Sequence, residues 1–387
     1  MAAGAAGLLG ACWNMPPLYC AEPSSNLRVG YLPITDAAPL LIAHALGYFQ
    51  DEGLKVKRPV MVRSWSALLE SFLSGKFNVT HMLLPIPVWM RFKHKIPVKV
   101  LAWDHVNGSA VTVARNSGIR GFADLGGKQI AVPFWYSMHN IVLQMGLRSA
   151  DLEPVIQAQA APLGPRQVNL FVLSPPEMPA ALAGRKIDGY VVAEPFNALG
   201  ELKIGARIMR FTGDIWKNHP CCVVVMNESA TRTRPVFTQK AINAIVRAQG
   251  WTSHNLAEAA KLLSRDGMGY LPVSREVLLR VFTGYRPSRY AQGPVPHAIH
   301  HPRWQVARIG FQPYPYPSAT RLIIQAMGRT RMEGDTAFLE ALNAETAARD
   351  LVDDRFVKKA ILDMGGPQRF APVDLKHPWE REEVIEV

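Results

Sequence analysis

Apolar and polar positions along the first patterned stretch change period within about thirty residues. Leu27, Val29 and Tyr31 alternate with Arg28 and Gly30, the two-residue period of a strand. A helical run over 37–49 follows, interrupted and ended by Gly47 and Gly53, and a second strand starts at Lys55. Asp36 is placed to cap that helix, with Pro39 in the first turn, where its missing N–H costs nothing. A strand feeding a helix N-terminus leaves free backbone N–H groups in loop 33–37, which makes the loop a candidate anion or polar-ligand site. Ordinary βα turns outnumber such sites.

The alternation continues to about residue 227, with strand-like runs at 56–62, 78–84, 98–102, 110–114, 129–132, 169–173, 189–192, 207–211 and 222–226. Helical runs fall between them, so the pattern predicts an α/β fold with mostly parallel sheets. Ser64 is expected to cap 65–73, and Ser174 with Glu177 has the spacing of a capping box before 178–183. Beyond residue 234 the pattern turns helical, at 236–255, 256–265 and 275–282. Residues 284–317 are rich in Pro, Tyr, His and Arg and read as an ordered loop, after which helical pattern returns at 319–332 and 355–364.

Composition narrows the class. A chain of 387 residues, 48% hydrophobic and 19% charged, is globular and too long for one typical domain. Its mean hydropathy of +0.02 excludes a multi-span membrane protein. The net charge of +12 comes from scattered Lys and Arg with no nucleic-acid motif, so no nucleic-acid partner is expected; a solvated surface is the plain reading, and anionic ligands or membranes are compatible with it.

Residues 1–11 form an apolar stretch with no basic residue before Arg28, half of an export signal. Leu9-Gly10-Ala11-Cys12 has the form of a bacterial lipobox, which predicts a lipidated Cys12 and a tether on the outer face of the cytoplasmic membrane. Cys20 also lies in the leader, and Cys221-Cys222 read as buried thiols in an apolar run. No nucleophile elbow, Walker loop or zinc-spaced cluster is present, so neither an enzyme, a cofactor nor a metal centre is expected. His297, His300 and His301 have no Asp, Glu or Cys beside them and read as loop residues; for Asp104 and His105 the alternatives are polar cleft residues and, favoured, a loop role after a strand.

Six strings occur in an order that defines a family: 26–54 (NLRVGYLPITDAAPLLIAHALGYFQDEGL), 64–73 (SWSALLESFL), His81-Met82-Leu83, 137–140 (SMHN), 188–197 (DGYVVAEPFN) and 214–220 (DIWKNHP). The chain resembles the nitrate- and bicarbonate-binding solute receptors of ABC importers, of the nitrate/sulfonate/taurine type. The resemblance implies a two-lobed periplasmic binding protein type 2 fold with hinge strands and a helical C-terminal extension. It implies a leader at 1–25, lobe one at 26–112 plus 218–290, lobe two at 113–217, and an extension at 291–387 packing on the lobes. Hinges are expected near 111–113 and 223–225.

A small oxyanion, nitrate first, is then expected in the interlobe cleft, with ABC permease and ATPase subunits as partners. His139, at the start of a helix and matching the family's "HN" position, is the favoured site residue, because a helix N-terminus adds donors and positive potential. Lys217 matches a position at which nitrate receptors carry a cation and bicarbonate receptors an acid, so binding is expected to need Lys217 and not calcium. Trp65 is placed to lay its ring against a flat anion, and core packing is its equal alternative. Asp36 belongs to the ligand loop, and Ser109 stands near a position where nitrate receptors usually show Gln. Glu194 is read as structural, since an unpaired carboxylate would repel an anion. The alternatives are a cytoplasmic nitrate-responsive sensor acting through a protein partner and an enzyme like the thiamine-pyrimidine synthases, whose CCCFC motif Cys221-Cys222-Val223 does not match.

Overall fold

In a computed structural model, residues 26–284, 287–290, 298–370 and 373–387 are described. The leader with Cys12 and Cys20, and His297, lie outside the described residues.

Two sheets carry the fold. The first runs in the order Val60–Met61, Val29–Tyr31, Val79–Leu83, Cys222–Asn227, Val98–Trp103. Val29–Tyr31 is parallel to both neighbours, whereas Cys222–Asn227 is antiparallel to both of its own. The second runs Glu153–Val155, Gln167–Val172, Gln129–Val132, Gly189–Ala193, Ser109–Val113, Arg207–Phe211, with Ser109–Val113 the antiparallel member. Val223, Val224 and Val225 are wholly buried on both faces of their strand, which is why an apolar run without alternation forms the centre of a sheet. Each such valine contributes roughly 1.5–3 kcal/mol by burial.

The chain passes from the first sheet to the second once, over 104–108, and returns once, over 212–221. These crossings position the site. The first turns back through Asn107 at φ 60° and Gly108 at φ 80°; a Cβ on Gly108 would stand 3.0 Å from the His105 ring, so only glycine fits there. The strand Ser109–Val113 belongs wholly to the second sheet, so an interlobe boundary at 112/113 would cut through a strand.

Two expected caps are absent. The helix Ala38–Ala45 follows a short turn Thr35–Ala37 and has no side-chain cap, because the Asp36 carboxylate faces the interior instead. Ser174 does not cap either; its Oγ donates to Arg63 O in the other half of the molecule at 2.7 Å. Ser64 and Ser137 do cap their helices, Trp65–Leu73 and Met138–Ser149.

The C-terminal part ties the halves together. Trp103 N–H donates to Pro313 O, Asp353 N–H donates to Val100 O, and Arg91 holds Asp350 on the first half. On the second half, Arg331 O accepts from Asn140 and Gln144, and Arg308 reaches Glu194 and Glu201.

Candidate functional site

The polar centre of the molecule lies at the seam between the sheets, where the two crossings meet loop 32–37, the N-terminus of Trp65–Leu73 and the N-terminus of Met138–Ser149. The seam is shut: Thr35 donates to Glu194 O through both its N–H, at 2.8 Å, and its hydroxyl, at 3.1 Å. Asp36, His81, Asp104, His105, Ser109, His139 and His219 are all buried here.

The Asp36 carboxylate is the electrostatic hub, and its charge bears on His105, His81, His139 and His219. Burial pushes the Asp36 carboxyl up, but His105, with Oδ2 only 2.9 Å from its Nε2, outweighs this and holds it below the usual carboxylate range. Burial pulls His105 down and Asp36 more than reverses it, so the pair is ionised. Asp104 is raised well above its ordinary value by burial and stays protonated. Burial drives His81 and His219 down to about 4 and His139 to about 3, so all three rings are neutral near pH 7.

Neutral rings carry one N–H each, and its position follows from the partners. Leu32 N–H donates to His81 Nε2 at 3.0 Å; a backbone amide can only donate, so the His81 proton sits on Nδ1. That Nδ1–H has no partner among the described residues, and neither has the indole N–H of Trp65, whose ring meets His81 edge-on at 5.7 Å. His139 Nε2 lies 2.8 Å from Ser109 Oγ, leaving its Nδ1 unpartnered as well. A chain of contacts supports Ser109 from behind: Thr212 Oγ1 donates to Ser109 O at 3.0 Å and lies 2.8 Å from His219 Nε2. A buried polar group without a partner costs about 1–3 kcal/mol, and several such groups gather at this one seam.

Of the residues expected from sequence, Trp65, Asp36, Ser109 and His139 come together at the seam. Lys217 does not join them. Its backbone N–H donates to Val384 O, and its side chain lines a cavity of about 610 Å³ with Asn218, Tyr316, His377, Arg381 and other residues of the C-terminal tail. The turn is held outward by a bridge between Trp216 and Ile385 and by Trp216 Nε1–H donating to Glu383. Glu194 is paired as expected, by Arg308 at 2.6 Å and Ala198 N–H at 3.0 Å. His81 and His219 received no ligand role from sequence, and for Asp104 and His105 a loop role was favoured over a cleft one; His81 stands in a buried strand, Asp104 and His105 just after one, and His219 within the second crossing.

Two half-sheets each broken by one antiparallel strand, joined by two crossings around a shut polar seam, define a type 2 periplasmic binding protein fold. The chain belongs to the NMT1-like family, whose pattern matches residues 20–264. It is 27% identical over 263 residues to the nitrate/nitrite binding protein NrtA of Nostoc sp. PCC 7120, covering 62% of this chain and 57% of that protein. It is 26% identical over 239 residues to the bicarbonate transport ATP-binding protein CmpC of Synechocystis sp. PCC 6803, covering 58% and 34%. The chain thus spans little more than half, or only a third, of these relatives. The crystal structure of the periplasmic nitrate-binding protein NrtA from Synechocystis PCC 6803 superposes with a TM-score of 0.76 at 19% identity, covering 94% of each chain, a likeness of fold. No helix among the described residues is long and apolar enough to cross a membrane.

Proposed function

We propose that this chain is the solute-binding component of an ABC importer and takes a small planar oxyanion, nitrate first, at the seam. The observation that carries this reading is the set of unpartnered, buried polar atoms, the donors Trp65 Nε1–H and His81 Nδ1–H with the ring nitrogen His139 Nδ1, beside the two crossings. N–H donors in a desolvated site suit an anion whose oxygens only accept. Lobe one is taken as 26–103 with 222–284, and lobe two as 109–211, with bending at 104–108 and 212–221. Opening separates Thr35 from Glu194 and admits the ion; closing removes its water. Delivery to a permease and its ATPase, and a tether through Cys12, complete the proposal.

A second ligand has a specific observation in its favour. Asp36 Oδ1, an oxygen of an ionised carboxylate, also lacks a partner, and an acceptor is met by an oxyanion that carries its own proton, such as bicarbonate. Calorimetric titration of ligand-free protein with nitrate, nitrite, bicarbonate, cyanate and a short sulfonate separates these. One-site nitrate binding, with compaction in small-angle scattering, is expected. Failure to bind any of the panel contradicts the reading, and unprocessed protein in the cytosol contradicts the tether.

A further inference from the structure

Two thiols that the sequence leaves as inert packing meet a carboxylate and an imidazole from two other chain segments. Asp36, His105, Cys221 and Cys222 each offer one ligand atom, and these atoms all lie within 4.8 Å of one another. Asp36 Oδ2 is 2.9 Å from His105 Nε2, 3.2 Å from Cys222 Sγ and 3.8 Å from Cys221 Sγ. Adjacent residues on a regular strand point to opposite faces, but the strand begins only at Cys222, so Cys221 can turn its sulfur to the same oxygen. All four residues are wholly buried, and both cysteines are free. Two further observations point to a missing ligand. Asp36 Oδ1 and His105 Nδ1 have no partner among the described residues, and both oxygens of the neighbouring Asp104 are unpartnered too.

We propose that Asp36, His105, Cys221 and Cys222 form a binding site for one thiophilic divalent cation of the zinc type. A tetrahedral zinc, with Zn–S near 2.3 Å and Zn–N or Zn–O near 2.0–2.2 Å, sets its ligand atoms roughly 3.3–3.8 Å apart. The three distances from Asp36 Oδ2, 2.9, 3.2 and 3.8 Å, bracket that spacing, with the Asp36–His105 contact the shortest, and the remaining pairs lie within 4.8 Å. Two sulfurs select against calcium and magnesium, which take oxygen ligands, and favour zinc or another borderline to soft ion. The ligands come from loop 32–37, the first crossing and the end of the second, so the cation would tie together the three segments that form the floor of the seam. The inference departs from the sequence-level expectation of no metal, because ligands spaced 69 and 116 residues apart leave no local motif. It does not depend on the anion reading: Trp65, His81 and His139 are not among the ligands, and an anion-binding failure leaves the metal test intact.

The full chain, stripped with a chelator under reducing conditions, is titrated with cobalt(II) and then with zinc. The expected result is one cobalt per chain, near-ultraviolet sulfur-to-metal charge transfer, intense visible bands of a tetrahedral ion, and displacement by zinc. Cys222→Ser should abolish the charge-transfer band and weaken zinc binding by roughly a hundredfold or more, whereas His301→Ala should change neither. If Cys222→Ser does not fold by circular dichroism, the wild-type spectrum decides, together with zinc protection of Cys221 and Cys222 from alkylation mapped by mass spectrometry. A pale spectrum without charge transfer, uptake below one metal per chain, absence of protection, or a Cys221–Cys222 disulfide in the protein as isolated would overturn the proposal.

Discussion

Two buried charged clusters lie within the same molecule and are built on opposite principles. Around Arg308 every charge is matched: its guanidinium meets Glu194 at 2.6 Å and Glu201 at 3.1 Å, and Tyr290 O–H donates to Glu201 at 2.8 Å. Burial pulls the Arg308 pKa down, and Glu194 and Glu201 more than reverse it. Around Asp36 only the His105 contact is a full ion pair, and Trp65, His81, His139 and Asp104 each keep a buried polar atom with no partner. A satisfied network fixes structure, here by fastening the C-terminal segment to the second half. An unsatisfied one stores a cost that a ligand can relieve. Charge content alone does not separate the two; the accounting of partners does.

The largest effect should come from breaking the matched cluster. Arg308→Met leaves the Glu194 carboxylate buried without its cation, and should lower stability by about 3–5 kcal/mol in urea unfolding. A loss below about 1 kcal/mol would show that the network is not the structural anchor described. The unmatched cluster should respond in the opposite sense. His139→Ala removes a group that is incompletely paired in the ligand-free protein, so stability should change by less than Arg308→Met does, while nitrate binding falls by at least tens-fold in calorimetry.

Acid should weaken the unmatched cluster by a smaller amount. His81, His139 and His219 have native pKa values of about 4, 3 and 4, below the unfolded value of 6.5, so the unfolded chain binds more protons as pH falls through 6.5. Their contribution to stability is present above pH 6.5 and declines as pH falls to about 4 for His81 and His219 and to about 3 for His139. His105, raised by Asp36, contributes in the opposite sense: its stabilisation is whole below 6.5 and is lost only as pH rises through its native value. The ligand-free protein should therefore melt at a lower temperature at pH 5 than at pH 7. Saturating nitrate should shrink that difference, because a neighbouring negative charge raises an imidazole pKa. An equal or higher melting temperature at pH 5 without ligand would contradict the burial of neutral rings.

The smallest effect is expected at Lys217, where sequence reasoning expected a large one. The side chain lies with the C-terminal tail rather than at the seam, so Lys217→Ala should leave nitrate affinity within a few-fold of wild type. A tens-fold loss in calorimetry would place the cation back in the site.

Much of the scaffold was legible because its signals are local. Cys222–Asn227 reads as a strand from its run of Val223, Val224 and Val225, and the cap of Trp65–Leu73 from Ser64. Glu153–Val155 escaped notice because it is short and contains Pro154, and Ala344–Leu351 because its buried face is mostly small, Ala347 and Ala348 with Leu351. The site was legible only in part. Trp65 and His139 lie in strings that carry a family pattern and Ser109 departs from it, but the setting of Lys217 depends on Ile385 and Glu383, some 170 residues downstream, and no periodicity announces that contact. His105 and the two cysteines were seen singly; that they face one carboxylate is a property of the two crossings, which only the sheet order reveals.

The central claim is that unpartnered donors at the seam exist to hold an anion, and Trp65→Phe tests it most directly. The substitution keeps an aromatic ring at the site and removes part of the indole together with one N–H that has no partner in the ligand-free protein. Calorimetric nitrate titration and thermal melting of the variant beside wild type should show affinity lower by about ten- to a hundredfold, the equivalent of about 1–3 kcal/mol, with a melting temperature without ligand lowered only by the small loss of core volume. Unchanged affinity, or a loss of affinity that merely follows a loss of stability, would contradict the account.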